Sequence, residues 1–187
     1  MKGKIIMAVS NEIKNMRVRA WDAANEYGKY LDAIELCNKL LKIDPNPGLV
    51  YSYRATAYIG LKDYDQAIQD CNKGIELYPT YSEVYNNRGW AYLELGNYEQ
   101  AIIDFSTAIE RKRNNHIAYN NRAWAYLELK KYEQAIDDCN KVIEEFNPKA
   151  EIKAEAYYVR SECYKSLGDT AKAQADFVKA KQLGYKA

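Results

Sequence analysis

The stretch "YNNRGWAYLELGNYEQAIIDF", Tyr85–Phe105, returns as "YNNRAWAYLELKKYEQAIDDC" at Tyr119–Cys139, with 16 of 21 positions identical at an offset of 34 residues. Extending that offset in both directions aligns Ala33, Ala67, Ala101, Ala135 and Ala173, three steps of 34 and one of 38. The chain therefore holds five copies of one unit. Three tyrosine columns share the period: Tyr30, Tyr64, Tyr98 and Tyr132; Tyr58, Tyr92, Tyr126 and Tyr164; Tyr51, Tyr85, Tyr119 and Tyr157. Twelve of the 18 tyrosines are thereby assigned to architecture and not to a site.

Within a copy the spacing is helical. In the third, Tyr85, Gly89, Tyr92 and Leu95 lie three or four residues apart on one face, and Ala101, Phe105, Ala108 and Ile109 repeat the pattern after a turn at "ELGN", Glu94–Asn97. Turn signals such as "DPNP" at Asp44–Pro47, "YPT" at Tyr78–Thr80 and "NP" at Asn147–Pro148 close the copies. Each copy is predicted to be a helix–turn–helix hairpin, and no sheet is expected.

These columns resemble the tetratricopeptide repeat, whose 34-residue pattern runs aromatic, small, Tyr, Gly, Tyr, Ala, aromatic, Ala, Pro. The resemblance covers residues 14–187 and implies an all-α, right-handed α-solenoid of stacked antiparallel hairpins, the tetratricopeptide superhelix. The expected organisation is an N-terminal segment, 1–13, and a single repeat domain, 14–187, with copies at 14–47, 48–81, 82–115, 116–149 and 154–187. The first copy departs, placing Trp21 where the others have Ala55, Gly89, Ala123 and Ser161. In the last copy, the column Ile34, Ile68, Ile102, Ile136 becomes Gln174, and Leu41, Ile75, Ile109, Ile143 becomes Lys181. Seven residues apart, these two sit on one helix face, which reads as a polar end to the stack.

Bulk properties narrow the partners. A net charge of +1 offers no excess of cations for a phosphate backbone, so nucleic acid is not expected. "IIMAV", Ile5–Val9, is shorter than the roughly 7–15 apolar residues of a signal core, and no run of about 18 apolar residues exists, so neither export nor a membrane partner is expected. Cys37, Cys71 and Cys139 share a column with Phe105 and Phe177, which marks a core position. Equivalent positions on stacked hairpins sit at least about 8–10 Å apart, beyond the roughly 7 Å that a disulfide spans. Reduced, buried thiols of a cytoplasmic protein are the expectation, with no metal and no cofactor.

A charge pattern follows the same period. Arg54, Arg88, Arg122 and Arg160 recur in first helices and Asp70, Asp104, Asp138 and Asp176 in second helices, while the first copy has Ala20 and Leu36 at these places. Their co-occurrence predicts an ion-pair ladder within the hairpins; a row of arginines for phosphate is the weaker reading.

The resemblance puts the first helices on a concave wall, so the candidate site is the face they turn from the core. At 100° per residue, Glu83, Asn86, Asn87, Trp90, Leu93 and Glu94 cluster there. Counterparts include Ser52, Tyr53 and Thr56 in the second copy, Asn120, Asn121, Trp124, Leu127 and Glu128 in the fourth, and Glu155, Tyr158, Val159 and Glu162 in the fifth. An Asn amide carries both donor and acceptor, and some members of the resembled family use Asn ladders to grip peptide backbone; Asn87 and Asn121 are the candidates, water-bound surface amides the alternative. Trp90 and Trp124, with Tyr53 and Tyr158, are either binding anchors or packing between adjacent first helices, or both at once. Glu94 and Glu128 belong to a wall where acids outnumber Arg19 and Lys165. Members that clamp acidic chaperone tails carry Lys and Arg at places held here by Val18, Asp22, Glu83, Ile117 and Asn121, so a neutral or basic segment with apolar anchors is preferred.

Catalysis is not expected. His116 is the only histidine, no phosphate-binding Gly loop occurs, and no nucleophile has a base at motif spacing. The function expected is a protein-interaction scaffold with a protein or peptide partner. The alternative is a self-assembling structural protein, a homo-oligomer joined through the region of Trp21 or the segment Met1–Glu12.

Overall fold

The structure, a computed structural model, describes residues 2–44 and 47–186, with side chains from residue 11 onward. Pro45 and Asn46 of the first inter-repeat turn, and the side chains of the opening segment before Asn11, lie outside the described residues. Every regular element among the described residues is helical. Contacts divide the chain into two compact units, Met1–Leu95 and Gly96–Ala187.

The first unit holds α1 (Lys2–Ala24), α2 (Tyr30–Ile43), α3 (Gly48–Gly60), α4 (Tyr64–Leu77) and α5 (Ser82–Glu94). The second holds α6 (Tyr98–Arg111), α7 (His116–Glu128), α8 (Tyr132–Asn140) with a π-helical turn at Lys141–Glu145, α9 (Ala150–Ser166) and α10 (Thr170–Gln182). Inside the units hairpin partners pack on each other, α1 on α2, α3 on α4, α7 on α8 and α9 on α10, and a second helix packs on the first helix of the next hairpin, α2 on α3, α4 on α5, α6 on α7 and α8 on α9. Successive first helices also meet, α1 with α3, α3 with α5 and α7 with α9.

Small side chains recur in the interior: Ala55, Ala123, Ser161, Cys37, Cys71, Cys139 and Cys163 are all buried. The four cysteines are free thiols. Burial pushes the Cys37 and Cys163 thiols up to about 12, which leaves them protonated and unreactive at neutral pH.

Side-chain oxygens of Asp63, Asn115 and Asp169 cap α4, α7 and α10 by accepting from the backbone N–H of Gln66, Ala118 and Lys172. One turn column adopts the left-handed conformation in all five hairpins: Gly28, Lys62, Gly96, Lys130 and Gly168, with φ of 88°, 61°, 76°, 57° and 83°. The four residues that stretch the last repeat step lengthen a first helix: α9 has 17 residues where α3, α5 and α7 have 13.

The expected ion pairs form within each unit. Arg54 Nε and Nη2 donate to both oxygens of Asp70 at 2.7 and 2.6 Å, Arg122 to Asp138 at 2.7 and 2.8 Å, and Arg160 to Asp176 at 2.7 and 3.0 Å. The third nitrogen, Nη1, reaches back one repeat: Arg54 to Asn38, Arg88 to Asn72, Arg122 to Ser106 and Arg160 to Asn140, at 2.5 to 2.8 Å. Each guanidinium also lies over a tyrosine ring of its own helix, Tyr51, Tyr85, Tyr119 or Tyr157.

The first hairpin departs from the column alignment. Trp21 is 52% exposed, and Ala20 is fully buried beside Cys37 and Leu40. An indole does not fit where the other copies have at most a hydroxymethyl group, so α1 is turned to bring the neighbouring methyl inward. The turn after α1 spans residues 25–29, two longer than the 61–63 turn after α3. Lacking the Arg–Asp pair, this hairpin uses another: Arg17 Nε donates to Asp44 at 2.6 Å and Nη2 engages its second oxygen.

Lysine in the left-handed region crowds its Cβ against the backbone, a strain that glycine avoids. Lys130→Gly is therefore expected to raise the urea unfolding free energy by about 1 kcal/mol, and Lys62→Gly to do the same.

Candidate functional site

In the first unit the candidate residues stand on α3 and α5. Tyr53 is half-buried against the cluster of Ile13, Cys37, Leu40 and Val50, and burial holds its phenol above the usual range. Asn87 is committed to its neighbour: Nδ2 donates to the Ser52 carbonyl at 3.2 Å, to Ser52 Oγ at 3.3 Å and to Thr56 Oγ1 at 3.0 Å. That amide joins α5 to α3, so its donor end serves the stack. Trp90 is half-buried, and Glu94 is exposed and accepts from the Tyr64 hydroxyl at 2.9 Å.

The second unit repeats the last contact: Glu128, through its charge and by a hydrogen bond, holds the Tyr98 phenol above its ordinary range. Asn121 is buried. Trp124 and Tyr158, one repeat apart on α7 and α9, are half-buried and meet with ring centroids 5.8 Å apart at 36°. The structure thus brings together the aromatic pair and disperses the acids into separate inter-repeat links.

Sequence reasoning left several contributors unassigned. Ser52 and Thr56 appeared as members of the face, not as acceptors for Asn87. The column Asn38, Asn72, Ser106 and Asn140 carries the period and would have revealed the backward reach of the arginines. Tyr185, which follows α10 and stacks on Tyr158 at 4.2 Å, sits in no repeat column and gave no periodic signal.

Beside the aromatic pair lies a polar contact with one atom unmatched. Asn120 is 2% exposed; its Nδ2 donates to Glu155 Oε2 at 2.8 Å, while its Oδ1 has no partner. Burial lifts the Glu155 carboxyl above the usual range, and the donation from Asn120 only partly offsets this.

The elements are those of an all-α solenoid of helix hairpins, with amides and rings on the first-helix faces. Comparison with known proteins agrees: three sequence profiles described as tetratricopeptide repeat match residues 49–81, 86–151 and 154–183. The chain belongs to the tetratricopeptide repeat family. No curated protein sequence matches it. Among solved structures, it is similar to a crystal structure of MamA at 25% identity, covering 83% of this chain and 89% of that one with a TM-score of 0.71. It is similar also to MamA 41-end from Desulfovibrio magneticus RS-1, at 17% identity and 94% coverage of both chains with a TM-score of 0.75; that likeness speaks to fold. Among the described residues no helix is long and apolar enough to cross a membrane.

A glutamine at 155 would keep the acceptor for Asn120, add a donor for its Oδ1 and remove a buried charge. Glu155→Gln is expected to stabilise the protein at pH 7 by about 1 kcal/mol. Because the folded state raises this carboxyl's pKa, the native protein gains stability as pH falls and loses it as pH rises through that value. The gap between variant and wild type in urea unfolding should accordingly be largest at neutral pH and close in acid.

Proposed function

We propose that the chain is a non-enzymatic interaction scaffold that takes an extended partner segment, neutral or basic with apolar anchors, on its first-helix faces. The observation that carries this reading is the Trp124–Tyr158 pair: two large rings held together by neighbouring repeats and only half covered. Such rings give binding area at little entropic cost because packing already fixes one side of each. Trp90 and Tyr53 fill the same role on the first unit. Asn87 is bound to Ser52 and Thr56, so specificity rests on the rings more than on that amide. The exposed carboxylates of Glu94 and Glu128 favour a basic segment over an acidic one by simple charge complementarity. A cytoplasmic setting is consistent with the protonated, buried thiols.

A second reading has its own observation. Val18 and Trp21 on α1 are 59% and 52% exposed, and Leu31 at the start of α2 is 69% exposed, the kind of apolar surface that copies of one chain could share.

One set of variants separates the readings. A peptide library displayed on phage is selected against the full chain, and the affinity of selected segments is measured on Trp90→Ala, Trp124→Ala and Trp21→Ala, with mass followed by light scattering. The leading reading expects basic, aromatic-bearing segments that lose at least tenfold in affinity on Trp124→Ala or Trp90→Ala and are indifferent to Trp21→Ala. Unchanged affinity on Trp90→Ala and Trp124→Ala, with an oligomer that Trp21→Ala dissolves, would favour self-assembly instead.

A further inference from the structure

Helix α10 ends at Gln182 in a tight reversal. Gly184, at φ 95°, lets the chain turn back, the Gly184 N–H donates to the Lys181 carbonyl and the Tyr185 N–H to the Ala180 carbonyl, both at 3.0 Å. The reversal lays Tyr185 flat on Tyr158, with ring centroids 4.2 Å apart and planes at 19°. Tyr158 in turn leans on Trp124. Three aromatic rings from three separate elements are therefore lined up, and the outermost belongs to the residues after the last helix.

Tyr158 occupies the place held by Ser52, Asn86 and Asn120 in earlier copies, of which Ser52 and Asn120 hydrogen-bond to the following repeat. The fifth copy puts a ring there instead, and the Tyr185 ring covers it. Leu183 joins Tyr185 on the same cluster, whereas Lys186 beyond it is exposed. Glu155 and Glu162, both on α9, lie close enough to act on the Tyr185 phenol, which burial and these charges hold above its ordinary range. Lys165 engages Glu162 at 3.6 Å and is the cation on this side of α9. The surroundings of the seat thus suit an aromatic ring next to a positive charge, which is what Tyr185 followed by Lys186 provides.

We propose that the Trp124–Tyr158 shelf is a seat for an aromatic side chain followed by a basic residue in a partner segment, and that Tyr185 fills it in cis as a displaceable stand-in. This deepens the reading given above and rests on it. A single stacked ring held by one glycine reversal is a weak intramolecular competitor. Stacking of this kind is worth a factor of roughly 2 to 10 in an equilibrium constant, and the apparent affinity of a guest falls by the fraction of molecules whose seat is filled.

The test uses the full chain and a synthetic peptide with the sequence of residues 181–187, Lys-Gln-Leu-Gly-Tyr-Lys-Ala, followed by the Trp124 indole N–H signal in NMR. Two control peptides carry Ala for Tyr or Glu for the following Lys. The expected result is that Tyr185→Ala binds the parent peptide about fivefold more tightly than wild type, and that both controls bind at least fivefold more weakly than the parent. Gly184→Ala, which strains the reversal while keeping Tyr185, is expected to fall between wild type and Tyr185→Ala, and circular dichroism checks that all variants keep their helices. Equal affinity of wild type and Tyr185→Ala for the peptide, absence of binding to both, or equal binding of the Tyr-less control would overturn the proposal. If library-selected segments still depend on Trp124 in that case, the scaffold reading stands without the stand-in; if they do not, the scaffold reading itself fails.

Discussion

In three of the repeats a single guanidinium holds three helices together. Arg54, Arg122 and Arg160 each sit on a first helix, chelate an aspartate on the second helix of their own hairpin and turn the remaining nitrogen to an Asn or Ser on the second helix of the hairpin before. A lone hairpin of about 34 residues buries too little apolar surface to offset its ordering entropy, so any contact that ties hairpin to hairpin decides whether the structure exists. The arginine does this in a setting where the loss of one partner would strand a nearly buried charge. The tyrosine beneath it completes the site, with the ring face toward the cation.

That constraint explains how the inner residues are used. Helices close enough for Asn87 to reach Ser52 and Thr56, for Tyr64 to reach Glu94 and for Asn120 to reach Glu155 have committed much of their polar chemistry to each other. The large rings are different, because a ring can pack through one face and keep the other. Trp124 and Tyr158 are half-buried and in mutual contact, and Tyr185 stacks on Tyr158. On the function we propose, such a scaffold would offer a partner rings and scattered carboxylates more than amides, and would favour a basic, aromatic-bearing segment.

Much of the fold was legible because it is written several times. A 34-residue period fixes hairpins, columns and turns together, and the pairing of Arg54, Arg122 and Arg160 with Asp70, Asp138 and Asp176 followed from their shared presence and shared absence in the first copy. Where the period fails, sequence reading failed with it. Trp21 aligned with a column of small residues, but α1 is turned to bury Ala20 in its place, a rotation that no spacing announces. The candidate site was legible as a face but not as a set of bonds: helical angles put Asn87 and Trp90 on one side and could not say that the amide binds α3. Tyr185 lay outside every column, and its stacking on Tyr158 depends on a left-handed glycine that only the folded chain reveals.

The central claim is that the half-covered indoles of the first helices receive the partner. The direct measurement is an NMR titration of the three tryptophan indole N–H signals with a library-selected basic segment. Saturable shifts of Trp124 or Trp90, with Trp21 unmoved, are the predicted result. Shifts confined to Trp21, which also follow protein concentration in the absence of any segment, would contradict the account.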